Sequence, residues 1–209
     1  MMKIKEDICS VGKRLYERHF IVAMDGNISV RVKDKIFFTP SGINKGEMTP
    51  EQIITTDLDG NVLEGQGKPS SEIAMHLEIY RQREDIQAIV HAHPPKCIAL
   101  TIAKISLEDV WIPEVFLQVG KIPTASYETP GTKELAQRLG KYVRNTNAIL
   151  MERHGIVTFD KDVWGAYYKV ESVEHTANIV LNIQNFPQAH PMEESQLEPL
   201  KIWKKMHCN

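Results

Sequence analysis

Ile8, Val11 and Leu15 recur at i, i+3 and i+7, which places them on one side of a helix and predicts an amphipathic helix over residues 3 to 19. After the Asp25-Gly26-Asn27 turn, Ile28, Val30 and Val32 alternate with polar residues. Lys33-Asp34-Lys35 separates them from Ile36-Phe37-Phe38, the pattern of a hairpin. Ile53 to Thr56 and Val62-Leu63 flank Asp57-Leu58-Asp59-Gly60-Asn61, whose Asp-Gly pair suits the left-handed conformation of a tight turn, so two further antiparallel strands are expected. Pro69 precedes residues 70 to 83, where Ile73, Leu77 and Tyr80 keep helical spacing and Ser70 or Ser71 can cap the free N–H groups. Residues 86 to 93 form an apolar run cut off by Pro94-Pro95, a buried strand ending at His93. Leu135, Leu139 and Val143 mark a helix, Ala148 to Met151 a short strand, and Val163, Tyr167, Val170, Val173 and Ala177 a long helix. Past Phe186 the pattern weakens. Strands dominate the first third and helices flank the later strands without regular β-α-β alternation. The expected class is α+β, a mixed α/β three-layer arrangement with a central, largely antiparallel sheet flanked by helices.

Composition narrows the function. The chain has 209 residues, 42% hydrophobic and 25% charged, within the range where one domain buries a core sufficient to fold unaided. A single domain over residues 1–209 is expected, with a C-terminal tail from about residue 187. The formal charge is -2 and basic residues cluster no further than pairs such as Lys204-Lys205. That leaves no cationic surface for nucleic acid or anionic lipid, and both partner classes are set aside. Cys9, Cys97 and Cys208 are odd in number, far apart and free of C-x-x-C spacing, so they read as free thiols in a reducing compartment. No apolar stretch has export or membrane-spanning length, and the cytoplasm is the expected location.

Candidate chemistry gathers in five short segments. His91 and His93, two apart at a strand end, leave the same sheet face in chelating geometry. The pair alone fits two hydrogen-bonded, half-buried imidazoles equally well. His154 precedes Gly155, a residue that lets the backbone turn tightly and approach a ligand. Three neutral imidazoles would leave the charge of a divalent ion such as zinc uncompensated and a coordination position open, as a Lewis acid requires. Glu72, beside Ser70 and Ser71 at a helix start, can shuttle a proton, and it can equally serve as a carboxylate complementing the helix dipole. Ser70 and Ser71, with the turns Gly26-Asn27 and Thr39-Pro40-Ser41-Gly42, are candidate phosphate binders. His76, four residues after Glu72, has the apolar spacing of a packed, hydrogen-bonded side chain.

Taken in order, Gly26-Asn27-Ile28-Ser29-Val30, Thr39-Pro40-Ser41-Gly42, Pro69-Ser70-Ser71-Glu72, His91-Ala92-His93 and His154-Gly155 resemble the class II aldolase and adducin-head family. Within it they are most similar to the branch acting on L-fuculose 1-phosphate. Tyr127 and Gly131-Thr132 also fit, and the resemblance covers roughly residues 8 to 183. It implies one Zn2+ or other divalent ion per subunit, held by His91, His93 and His154, with Glu72 as both displaceable fourth ligand and proton carrier. It further implies a phosphate cradle of Gly26, Asn27, Ser41, Gly42, Ser70 and Ser71, and a homotetramer with the metal near a subunit boundary. The implied substrate is a small phosphorylated sugar. A ketose 1-phosphate would be cleaved reversibly to dihydroxyacetone phosphate and an aldehyde through a metal-stabilised enediolate.

The chain departs from that branch in two places. The loop that carries a catalytic tyrosine there reads Ile112-Pro113-Glu114-Val115-Phe116 here, and the tail from Pro187 to Asn209 holds Trp203 and His207 but no tyrosine. Glu114, Tyr127 and His207 are the residues left to serve the aldehyde end. Two alternatives share the resemblance: a pentulose-phosphate 4-epimerase or sugar-phosphate dehydratase of the same fold, and a non-catalytic adducin-like module.

Overall fold

The computed structural model describes residues 1–207; Cys208, one of the three expected free thiols, lies outside them. Helix α1 (Met2–Glu17) forms over the predicted stretch and buries Ile8, Val11 and Leu15. Strands β1 (Asn27–Val32) and β2 (Lys35–Phe38) make the first hairpin, with Val32 opposite Lys35 across the turn. In the second hairpin, β3 (Ile54–Thr56) and β4 (Val62–Glu64), Asp57 closes the turn by accepting from the N–H groups of Asp59 and Asn61. β4 is exposed throughout and forms one edge of the sheet.

Helix α2 (Ile73–Gln82) starts later than the serines suggest. The Ser70 hydroxyl accepts from the Glu72 N–H and the Ser70 carbonyl from the Ile73 N–H, so the chain makes one turn before the helix proper. Glu72 becomes the N-cap residue instead of a member of the first helical turn. β5 (Ala88–Ala92) ends one residue short of His93. Pro94-Pro95 stops the strand as expected and also opens α3 (Pro95–Ala103), because a proline at the first helical position loses no hydrogen bond. α4 (Pro113–Gln118), β6 (Thr124–Ala125), α5 (Lys133–Gly140), β7 (Ala148–Met151), β8 (Gly155–Asp160) and α6 (Val163–Ile183) follow. The tail carries α7 (Glu194–His207), which buries Leu197.

The eight strands form one sheet in the order β4-β3-β2-β1-β5-β8-β7-β6, antiparallel at every pairing but β6 with β7. Alternation along the strands splits the core in two. Val30, Ala88, Val90, Leu150 and Ile156 pack with α1, α3 and α6 on one face. Ile36, Phe38, Ile89, Ile149, Val157 and Phe159 pack with α2 and α5 on the other. This is the mixed three-layer arrangement expected, with a largely antiparallel centre. Among the described residues no helix is long and apolar enough to cross a membrane.

Candidate metal centre and active site

The site grows from the seam between β1 and α2. Since Ile28 and Val30 enter the first core, the alternate residues Asn27, Ser29 and Arg31 face α2. Glu72, His76 and Tyr80 are four apart and share one side of the helix. Two strand residues advance about 6.6 Å and four helix residues about 6 Å, so the two ladders stay in step. Asn27 meets Glu72 and His76, Ser29 meets His76 and Tyr80, and Arg31 donates to the Tyr80 carbonyl at 2.9 Å. The polar positions of β1 are therefore a buried seam and not a solvated strand face. His76 is fully buried and hydrogen-bonded at both ring nitrogens, the packed role its spacing indicated. Burial, with the charge of His91 added, lowers its pKa to about 3.

His91 points from β5 toward the same layer. Its Nδ1–H donates to the Ile156 carbonyl at 2.8 Å, which turns Nε2 inward. His93 sets its Nδ1 3.4 Å from Asp25 Oδ2 and brings Nε2 to 3.0 Å from that of His91. His154 arrives from the turn between β7 and β8, its Nε2 3.3 Å from Glu72 Oε1. Glu72 Oε2 lies 3.0 Å from His91 Nε2. Gly155 makes this convergence possible, since a Cβ there would stand 2.3 Å from the Ala92 carbonyl oxygen and 2.9 Å from the His93 ring. Gly26, at φ +71°, is required likewise, because a Cβ would meet Ile21 at 2.6 Å.

The ligand atoms of Glu72, His91, His93 and His154 lie within 4.8 Å of one another. With the outer nitrogens of His91 and His93 turned to carbonyl and carboxylate, inward lone pairs face each other and a carboxylate at about hydrogen-bond distance. Such a set is stable only around a shared cation, a proton or a metal. Glu72 Oε1 and His154 Nδ1 are buried without a hydrogen-bond partner among the described residues. A donor set of three imidazoles and one carboxylate fits a divalent metal. Without metal, burial pushes the Glu72 carboxyl up, but His91, His154 and Asn27 outweigh it and hold the group below the usual carboxylate range. Burial lowers His91, and the Glu72 carboxylate reverses this and raises it. Burial and the His91 charge bring His93 to about 4 and His154 to about 3, so both imidazoles stay neutral and able to ligate.

Above the cluster opens a cavity of about 280 Å³ whose wall includes Gly26, Asn27, Ser41, Gly42, Ser70 and Ser71, together with Glu72, His93 and His154. All six proposed phosphate binders thus share one cavity with three of the four metal candidates, His91 lying buried. The Asn27 side chain is largely committed below, donating to Glu72 at 2.8 Å and accepting from His76 at 2.6 Å. The sequence reading passed over two charged wall residues, Asp25 and Lys45. Lys45 is 2% exposed and its ammonium donates to the carbonyls of Met24 and Ile43 at 2.8 and 2.7 Å, tying the two turns together. A lysine just after the Thr39 to Gly42 turn was the available signal. Glu114, Tyr127 and His207 do not line this cavity.

A profile of the family described as Class II Aldolase and Adducin N-terminal domain matches residues 6–181. An L-fuculose phosphate aldolase of Methanococcus maripaludis is 36% identical over 178 residues, 84% of this chain and 96% of that protein. A 5-deoxy-D-ribulose 1-phosphate aldolase of Bacillus thuringiensis is 34% identical over 203 residues, 96% of this chain and 94% of that protein. A 3-oxo-tetronate 4-phosphate decarboxylase of Cupriavidus necator is 32% identical over 189 residues, 88% of this chain and 87% of that protein. A solved structure of an L-fuculose 1-phosphate aldolase superposes with a TM-score of 0.87 at 33% identity, covering 97% of this chain and 96% of that one.

Proposed function

The chain belongs to the class II aldolase and adducin family, and from that premise we propose that it is a zinc-dependent aldolase acting on a ketose 1-phosphate. The substrate is L-fuculose 1-phosphate or a related pentulose or deoxy-sugar 1-phosphate, and the products are dihydroxyacetone phosphate and an aldehyde. One observation carries the reading: Glu72, with a buried oxygen that has no hydrogen-bond partner among the described residues, stands among three convergent imidazoles at the base of a cavity walled by phosphate-type turns.

His91, His93, His154 and Glu72 would hold the zinc, which when bound supplies a Lewis acid for the charge that develops at the substrate carbonyl as the C3–C4 bond breaks. Ser41, Ser70 and Ser71 offer hydroxyls, and Gly26 and Gly42 close backbone approach, to a phosphate at the cavity wall. Lys45 adds a cation there. This anchoring orients the sugar so that its reacting carbons lie over Glu72. Glu72, ionised at rest, takes up the proton that the C4 hydroxyl loses as the aldehyde forms, and its Oε1 gives a proton to C3 to complete dihydroxyacetone phosphate; both transfers run backwards in the synthesis direction. Burial around Glu72 excludes bulk water that would compete for that proton.

Similarity to 3-oxo-tetronate 4-phosphate decarboxylases favours a second reading, since loss of carbon dioxide from a 3-oxo acid leaves an electron pair in the same place. A 4-epimerase or dehydratase would differ in where protons are delivered, and an adducin-like module would need none of the ligand set present here. Product analysis separates these. Purified protein with zinc, given a panel of ketose 1-phosphates, should release dihydroxyacetone phosphate. Failure with every ketose 1-phosphate, together with carbon dioxide from a 3-oxo acid phosphate, would replace the aldolase by the decarboxylase. The same reading makes the chain a homotetramer, for which exposed Val22 and Met24 beside Asp25 offer an apolar surface. Light scattering should then give four times the 23.8 kDa of the chain.

A further inference from the structure

We propose that His76 is a positioning residue for Glu72, acting with Ser29 and Tyr80 through a one-way chain of hydrogen bonds that ends on one oxygen of the carboxylate and leaves the other free for proton exchange. The polarity of the chain follows link by link. An ionised carboxylate accepts and never donates, so Asn27 must present its amide N–H to Glu72 Oε2 at 2.8 Å. The Asn27 carbonyl oxygen then faces His76 Nε2 at 2.6 Å, and that nitrogen must carry the proton. A neutral imidazole with Nε2–H has its lone pair on Nδ1, so Ser29 must donate its hydroxyl there, at 2.7 Å. With the serine proton committed, the 2.8 Å contact between Tyr80 and Ser29 requires the tyrosine to donate. No link can be reversed alone.

Asn27, Ser29, His76 and Tyr80 are all buried, so water cannot relax the chain by supplying alternative partners. The consequence falls on Glu72. Were His76 to carry its proton on Nδ1, the Asn27 amide would have to turn over and set its carbonyl oxygen against the carboxylate. With the observed polarity Oε2 is held by Asn27, while Oε1 has no hydrogen bond among the described residues. A carboxylate that exchanges a proton with a reacting carbon needs this asymmetry, one oxygen anchored and one available. The spacing that produces it is Asn27-x-Ser29 on β1 against Glu72-x-x-x-His76-x-x-x-Tyr80 entering α2.

The inference rests on the reading of Glu72 as proton carrier, and the experiment separates the two. First, 15N-histidine NMR of the wild-type protein at neutral pH, in metal-free and zinc-loaded forms, reports the His76 tautomer without any substrate. Nε2–H with an unprotonated Nδ1 is expected in both, and a proton on Nδ1 overturns the relay whatever the reaction proves to be. Second, His76→Gln and His76→Asn are compared at matched zinc content and thermal midpoint. Glutamine can place an N–H where Nε2 stood, whereas asparagine reaches the Nδ1 position alone. His76→Gln should keep kcat within about tenfold of wild type and His76→Asn should lose about a hundredfold, with KM changed less than about threefold in both. Equal kcat in the two variants overturns the positioning role, since a residue that merely filled space would not distinguish them. If wild-type protein cleaves no ketose 1-phosphate, the aldolase reading fails while the tautomer measurement still decides the relay. If neither variant folds, the comparison passes to Asn27→Ala, which removes the acceptor that fixes Nε2–H, and NMR should show His76 losing its single-tautomer signature. An unchanged signature there overturns the relay as well.

Discussion

Replacing His91, His93 or His154 by alanine deletes one of three converging nitrogens, whereas Glu72→Gln keeps a neutral oxygen donor of the same size in place. The two kinds of change should therefore part company. Each histidine variant should lose metal and activity together, and Glu72→Gln should retain most of the metal while kcat falls by about 10² to 10⁴. Metal analysis beside a dihydroxyacetone phosphate assay makes the comparison, and full activity in Glu72→Gln would falsify its role as proton carrier. Ser71 stands on the cavity wall and is not one of the four clustered ligands. Losing one hydrogen bond to a charged phosphate costs about 1.5 to 3 kcal/mol, so Ser71→Ala should raise KM about tenfold or more with metal content unchanged. An unaltered KM would remove Ser71 from the phosphate cradle. At this scale the site was legible because chelating and phosphate-binding residue types announce themselves. Asn27 was the exception: its place in the Gly26-Asn27 turn pointed to phosphate, and its role beneath Glu72 emerged once β1 and α2 were seen side by side.

The β1–α2 seam carries a pH dependence whose sign can be worked out. His76 titrates near 6.5 when unfolded and at about 3 in the folded chain. Between those values the unfolded state binds a proton that the native state refuses, so stability falls as pH is lowered from about 6.5 and is unaffected by His76 above it. Each such proton is worth about 1.4 kcal/mol per pH unit. In metal-free protein His93 and His154, lowered to about 4 and about 3, act in the same direction. His91, raised by Glu72, acts in the opposite one. Urea unfolding between pH 5 and 6.5 in the presence of a chelator should show stability falling with acid, and His76→Gln should reduce that slope by roughly one proton. An unchanged slope would mean that His76 titrates normally in the fold. Elements were legible where a single face is apolar, as in α1, α5 and α6. They were lost where periodicity is absent or misleading. β8 is buried on both sides and reads as a continuous run after Gly155. α3 hides behind Pro94-Pro95, which marks a strand end and a helix start at once. α7 mixes charges with Pro199 and buries little beyond Leu197.

For the whole molecule, the metal candidates join parts of the chain that are far apart in sequence: the start of α2, the end of β5 and the turn between β7 and β8. These flank the centre of the sheet, where β5 pairs with β1 on one side and β8 on the other. An ion bound there binds the folded state far better than the unfolded one, because the unfolded chain cannot gather the four ligands. Folding and binding are then linked by mass action, about 4 kcal/mol at a free metal concentration a thousandfold above Kd. For a chain of this size each kcal/mol moves the melting temperature by about 2 to 4 °C. Zinc added to metal-free protein should accordingly raise Tm by about 8 to 16 °C, and a chelator should reverse the gain. His91→Ala should remove most of the shift, which separates this site from adventitious binding to surface carboxylates. Repeating the titration with cobalt and manganese ranks the ions by the stabilisation each confers at equal free concentration. A Tm that no divalent ion moves would mean that the four side chains do not form a metal centre, and the chemistry assigned to them would fall with it.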